Sequence, residues 1–194
     1  MDFKEECMAC VESLQRVGIN FLAIDFDDTL VDYHTNGKWR ETKGAADLAK
    51  KVRPFFIELV PMAMKHGIHV AIVTFSRQVN LIRAVLDFQF PDLASRIPVR
   101  GDRNSPDFGW AYEGKGMTTG KQGHMASAAE ELNNLYCVKG LVSGGEMRQI
   151  TRNSSLLLDD DTHNIQSALD NEVRAIYCVP DNIDVTVQEI IALE

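Results

Sequence analysis

Apolar and polar positions change period repeatedly along the chain, and each change marks an element. Residues 3–17 place Phe3, Cys7, Cys10, Val11, Leu14 and Val17 at near-helical spacing, with Gly18 as a stop, which predicts a helix. The short continuous apolar run "NFLAIDF" predicts a strand buried on both faces. A helical region follows from about Ala45 to His66, interrupted near Pro54, where a missing amide and the ring disfavour a continuous helix. "IHVAIVTF" predicts a second buried strand of β-branched residues, succeeded by a helix over about Gln78 to Phe88. "RIPVRG" predicts a short third strand, "HMASAAEELNNL" a helix, "SSLLLDD" a fourth strand, "HNIQSALDN" a helix and "RAIYCV" a fifth strand.

Strands alternating with helices predict an α/β fold: a doubly wound, Rossmann-like parallel sheet in three layers. The 194 residues suit one domain, 1–194, and show no repeat, low-complexity tract or linker. The segment 90–120, with Pro91, Pro98 and Pro106, lacks periodicity and predicts an irregular loop, either functional or a plain surface excursion.

In such sheets ligands bind at the carboxyl ends of the strands. Asp25 and Asp27 follow the first apolar run, Thr74 and Ser76 the second, and Asp159, Asp160 and Asp161 the fourth, so the three groups should converge on one edge. Alternation along extended backbone lets Asp25 and Asp27 share a side while Asp28 points elsewhere, as a turn residue would. Two carboxylates about 4 Å apart repel by roughly 4 kcal/mol at an effective dielectric near 20, and an acid from 159–161 worsens this. A divalent cation relieves it, and oxygen ligands without adjacent His or Cys favour Mg²⁺.

A metal site alone needs neither Thr74 nor a lysine, whereas phosphoryl transfer needs hydroxyl, amide and ammonium donors for its developing charge. Lys121, preceded by Thr118, Thr119 and Gly120 at the head of a predicted helix, is the ammonium candidate. Each also has a plain reading: Thr74 as a strand-end hydroxyl, Lys121 as a surface lysine. A phosphate-loop reading of "GKGMTTGKQG" fails, because that pattern needs Gly where Lys115 stands and Ser or Thr where Gln122 stands. His66 and His69 lack a third ligand and read as structural or surface residues, and His34, His124 and His163 have no evident partner.

Charge narrows the partners. The formal net charge of -8, from 20 Lys and Arg against 28 Asp and Glu, argues against a general polyanion-binding surface and makes nucleic acid an unlikely partner, although Arg96, Arg100 and Arg103 could form a local patch. The start, "MDFKEECMAC", lacks an apolar core like that of a signal peptide, and no apolar run approaches the roughly 18 residues of a membrane span, so a cytoplasmic address without membrane partners is expected. Cys7 and Cys10 form a lone C-x-x-C while Cys137 and Cys178 lie far apart in apolar surroundings, which favours reduced structural thiols over zinc.

Taken together, these residues resemble the haloacid dehalogenase superfamily of phosphohydrolases. "AIDFDDTLV" is similar to its first motif, an apolar strand followed by Asp-x-Asp-x-Thr, with Asp25, Asp27 and Thr29 in the matching places. "HVAIVTFS" resembles the second motif, ending in Thr74, and "SLLLDDDTHNI" the fourth, with paired acids ahead of Asn164 and Ile165. The resemblance implies a Mg²⁺-dependent phosphatase with little or no cap domain, in which Asp25 is the nucleophile and forms an aspartyl-phosphate while Asp27 is the general acid and base. It implies that Thr74 holds a phosphoryl oxygen and that Lys121, with Lys115 and Lys139 as rivals, orients Asp25. Mg²⁺ would then lie on Asp25, the backbone carbonyl of Asp27 and Asp160, with Asp159 in support. An acid at position 27 favours phosphate transfer over dehalogenation. The substrate is expected to be a phosphorylated small molecule or phosphoprotein, with Trp110, Tyr112, Arg100 and Arg103 lining its side of the site. A non-catalytic regulatory or binding module on the same fold, and a phosphatase of nucleic-acid 3′ ends, are the competing readings.

Overall fold

The computed structural model describes residues 3–39, 44–103, 110, 119–139 and 148–194. Five parallel strands, β1 (Phe21–Ile24), β2 (His69–Val73), β3 (Val99–Arg100), β4 (Ser155–Asp159) and β5 (Arg174–Tyr177), form one sheet in the order β3-β2-β1-β4-β5. β1 sits in the middle, with Ala23 opposite Ala71 of β2 and Leu157 of β4. All of its residues are buried, which is why its sequence is an unbroken apolar run rather than an alternation.

Helices cover both faces. Leu22, Ile24, Val70, Ile72, Leu156 and Leu158 point into a core closed by α1 (Lys4–Arg16), α3 (Pro54–Lys65), α4 (Val79–Gln89) and α7 (Ile183–Ile191). Phe21, Ala23, Ala71, Val73 and Leu157 point the other way, against α5 (Gln122–Lys139) and α6 (Thr162–Asp170). This is an α/β arrangement compatible with a Rossmann-like fold. Strand order reverses direction between β1 and β4, so the crevice at their carboxyl ends is the expected ligand position.

The helical region around Pro54 divides into α2 (Gly44–Ala49) and α3, with Pro54 in the first turn of α3, where its missing N–H leaves no bond unmade. α7 was not expected from the sequence. It docks on α1, where the Ser13 hydroxyl donates to the Ile191 carbonyl at 3.0 Å. Cys7, Cys10 and Cys178 are buried thiols outside any disulfide, and burial pushes Cys10 up to about 12, as inert core sulfurs require. The side chain of Cys137 lies outside the described residues.

The described part of 90–120 is more ordered than a loop, holding a single turn at Ala94–Arg96 and β3. Gly101, at the exit of β3, is crowded: a Cβ there would lie 2.3 Å from Val79 Cγ2 and 2.7 Å from the Ser76 carbonyl. The Asp102 amide donates to that same carbonyl at 3.0 Å, so β3 braces the turn that follows β2. Among the described residues, no helix is long and apolar enough to cross a membrane.

Candidate functional site

The site begins where β1 ends. The Asp25 amide still donates to the Leu158 carbonyl at 2.9 Å, extending the ladder by one bond, and the chain then leaves in a wide turn. That turn is closed by Leu30 N–H to the Asp25 carbonyl at 3.1 Å and Val31 N–H to the Phe26 carbonyl at 3.0 Å. Asp28 takes φ 53 inside it, a left-handed conformation that Asp tolerates better than most residues, in keeping with a turn role. Arg53 fastens the turn by donating to the carbonyls of Asp28 and Thr29, each at 2.9 Å, while Phe26 and Leu30 anchor it in the core. Asp25 and Asp27 are thereby held toward the cleft.

Lys121 enters from the opposite face. Gly120, at φ +54, packs so closely on α6 that a Cβ would lie 2.9 Å from Ser167 Oγ. Only glycine combines that backbone with that approach, which sets the direction of Lys121. The ammonium contacts Asp25 Oδ1, lies 3.0 Å from Asp159 Oδ2 and donates to the Val73 carbonyl at 2.9 Å, so its three protons are all placed. Asp159 is held further by Asn164, whose amide donates to both carboxylate oxygens at 3.1 and 3.2 Å, and by the Asp161 N–H at 2.9 Å. Thr29 donates to Asp160 Oδ1 at 3.2 Å.

The electrostatics leave negative charge in excess. Burial pushes the Asp25 carboxyl up to about 7; Lys121 opposes this, and Asp159 and Asp160 reinforce it. Burial would lower the Lys121 ammonium, but Asp25 and Asp159 outweigh it and hold it above its ordinary value. Asp160, half-buried, is raised by burial and by Asp159. Among the described residues, Lys121 is the one cation paired with Asp25 and Asp159.

Thr74, beyond β2, takes the Ser76 amide on its hydroxyl oxygen at 3.1 Å, which leaves the hydroxyl proton to donate. Asp25, Asp27, Thr74, Lys121, Asp159 and Asp160 line one cleft of about 880 Å³ at the carboxyl ends of β1, β2 and β4. The three groups separated in sequence therefore meet. The chain matches no family model, no curated protein and no solved structure. What the site does must be read from its own geometry.

Other expectations need correction. Arg100 does not reach the cleft: its guanidinium donates to Ser127 Oγ at 2.9 Å and to the Ser127 carbonyl at 3.3 Å, and it pairs with Glu131, all on α5. Trp110 is buried, donates to the Gly101 carbonyl at 3.2 Å and lies against His124, with Arg103 stacked 5.0 Å over its ring. These three form a packed cluster, and the exposed Phe75, edge-on to His124, lines the cleft beside it. Tyr112 and Lys115 lie outside the described residues, as does the side chain of Lys139. Asp161 caps α6, accepting from the His163 N–H at 2.8 Å. Among the described residues, no three His, Cys, Asp or Glu side chains form a metal-binding group.

Three residues were not singled out for their contacts: Asn164, which clamps Asp159; Thr35, which binds Asp27; and His124, whose buried ring is held down to about 3, first by burial and then by Lys121 and Arg103. His69 is held below its ordinary value by burial and by Arg96, while His66 is exposed at the end of α3.

Proposed function

We propose that the protein is a phosphomonoester hydrolase that acts through an aspartyl-phosphate on Asp25. The observation that supports this most is the Asp25–Lys121–Asp159 contact, a buried ammonium between two carboxylates beneath an open cleft that also holds Asp27 and Thr74. A purely structural ion pair needs one carboxylate per cation; here Lys121 meets two, Asp25 and Asp159, and Asp160 lines the same cleft.

Mg²⁺ fits this donor set. Asp25 Oδ2 is not taken by Lys121, Asp160 Oδ2 is not taken by Thr29, and every donor is oxygen. Two carboxylates and the Asp27 carbonyl suffice for an ion that keeps several waters, so three converging acidic side chains are not required. Asp25, the Asp27 carbonyl and Asp160 would hold it, while Asp159 stays with Lys121 and Asn164. Bound there, Mg²⁺ supplies positive charge that favours the ionised acids and offsets charge on the phosphoryl oxygens.

In the first displacement, the Asp25 carboxylate attacks phosphorus through the oxygen that Lys121 orients, and the bond from phosphorus to the leaving oxygen breaks. Asp27 gives that oxygen a proton. In the second displacement, Asp27 takes a proton from water as the water attacks phosphorus, and the bond to Asp25 breaks, releasing phosphate. Thr74 donates its hydroxyl proton to a non-bridging oxygen. Lys121 fixes the orientation of the Asp25 carboxylate, holding Oδ1 and leaving Oδ2 for the cation.

Phosphate release from a panel of monoesters, with and without EDTA, is the direct test. Turnover that EDTA abolishes and Asp25→Asn removes is expected; turnover persisting in Asp25→Asn sinks the nucleophile assignment. Silence across the panel, with tight capture of one macromolecule, would favour a binding module.

A further inference from the structure

Among the described residues, Asp27 is held by Thr35, which lies outside the acid cluster. The Thr35 backbone N–H donates to Asp27 Oδ1 at 3.0 Å, and the Thr35 hydroxyl lies 3.1 Å from Oδ2. A hydroxyl has one proton to give and two lone pairs. Thr35 Oγ1 already receives the Gly37 N–H at 3.3 Å, with the Gln78 side-chain amide at 3.5 Å, so its proton is left for Asp27. Thr35 is 4% exposed, although its neighbours His34, Asn36, Gly37 and Lys38 line the cleft.

Its position is preset by a tight turn. The Lys38 N–H donates to the Thr35 carbonyl at 3.0 Å, and the central residues Asn36 and Gly37 have φ 53 and 61. Positive φ at both positions is what a type I′ turn requires, and Asn-Gly is the pair that adopts it at least cost. Below the turn, the Tyr33 and Trp39 rings meet edge to face at 5.2 Å, and the Trp39 indole donates to the Gly44 carbonyl at 3.0 Å. Two bonds from one rigid residue to both oxygens fix the rotation of a carboxyl group.

We propose that Thr35 is the positioning residue of Asp27, aiming its carboxyl group at the leaving oxygen of the substrate. This rests on the phosphatase reading above. Proton donation matters most when the leaving oxygen is strongly basic, so the role predicts a dependence on leaving group that a merely structural residue would not show. Thr35→Val removes the hydroxyl and keeps the shape; Thr35→Ser keeps the hydroxyl.

In Thr35→Val, kcat on an alkyl phosphate should fall at least about tenfold more than on p-nitrophenyl phosphate, with KM little changed, and Thr35→Ser should recover most of the loss. Equal losses on both substrates, or no recovery in Thr35→Ser, overturns the positioning role. A second measurement needs no turnover: hydrogen exchange at the Thr35 amide should quicken about tenfold or more in Asp27→Ala and not in Asp28→Ala. Unchanged exchange in Asp27→Ala overturns the pairing itself. Absence of Asp25-dependent turnover in the wild-type protein overturns the phosphatase reading and with it the catalytic role of Thr35, whereas Asp25-dependent turnover with uniform losses in Thr35→Val overturns the positioning role alone.

Discussion

Lys121, just ahead of α5, and Arg100, at the end of β3, are both buried cations near the carboxyl edge of the sheet, 1% and 6% exposed. Arg100 meets the Ser127 hydroxyl, the Val99 and Ser127 carbonyls and one carboxylate, Glu131. Its charge is matched one for one, and its partners are neighbours on the strand and helix it joins. Lys121 meets two buried carboxylates, with Asp160 close by, and all four groups line the cleft. A matched pair fastens packing. A buried excess of one sign costs stability, and an excess that opens onto a cleft is where a further cation and a charged ligand belong. Burial alone therefore does not separate a structural cation from a chemical one; the count of opposing charges does.

The largest effect expected from this contrast is on turnover. Lys121→Met should lower phosphate release by about a thousandfold or more, by loosening Asp25, whereas Arg100→Met should stay within about tenfold of wild type. Steady-state kinetics of the two proteins would reverse the contrast if Arg100→Met were the more damaged. In stability the same pair should differ less. Lys121→Met should cost about 3 kcal/mol at neutral pH, because two buried carboxylates lose their partner, and denaturant unfolding reads it. Arg100→Met should cost about 1–2 kcal/mol from its hydrogen bonds, the pair with Glu131 adding little because that carboxylate is 45% exposed.

Sensitivity to pH sharpens the comparison again. Asp25 is raised from 3.8 to about 7 in the metal-free protein, so between these values the folded state holds a proton that the unfolded chain has released. Stability from this group is complete below about pH 4 and is lost as pH rises through about 7. Thermal unfolding in EDTA should show a decline over that window, flattened in Asp25→Asn and partly offset by Mg²⁺; an identical slope in Asp25→Asn would contradict it. A modest effect is expected at Gly120, where Ala meets both the Ser167 side chain and a positive φ: a loss of about 1–2 kcal/mol, together with lower turnover as Lys121 shifts.

Much of the fold was legible because β1, β2 and β4 are buried on both faces and so carry unbroken apolar runs ending in polar residues. α7 was not legible in the same way. Its segment, "IDVTVQEII", is rich in β-branched residues that favour strands, and its helical state is set by docking on α1. In the site, the acids and Thr74 could be placed together from the carboxyl ends of the strands, whereas Lys121 stood out from Lys115 and Lys139 only because it opens the helix ahead of the fourth strand. Arg100 was misplaced because its partners, Ser127 and Glu131, belong to a helix that the sequence does not tie to β3. Thr35 had a readable signal in the Asn36-Gly37 turn, but that turn shows where the chain reverses and not which carboxylate Thr35 meets.

On the proposed mechanism, Asp25 carries the phosphoryl group between the two displacements. Rapid acid quench during turnover of a monoester with Mg²⁺, followed by mass spectrometry of the peptide containing Asp25, tests it most directly. A phosphoryl adduct on that peptide, absent in Asp25→Asn and in EDTA, is expected. Undiminished phosphate release by Asp25→Asn, with no adduct trapped in the wild-type protein, would contradict it.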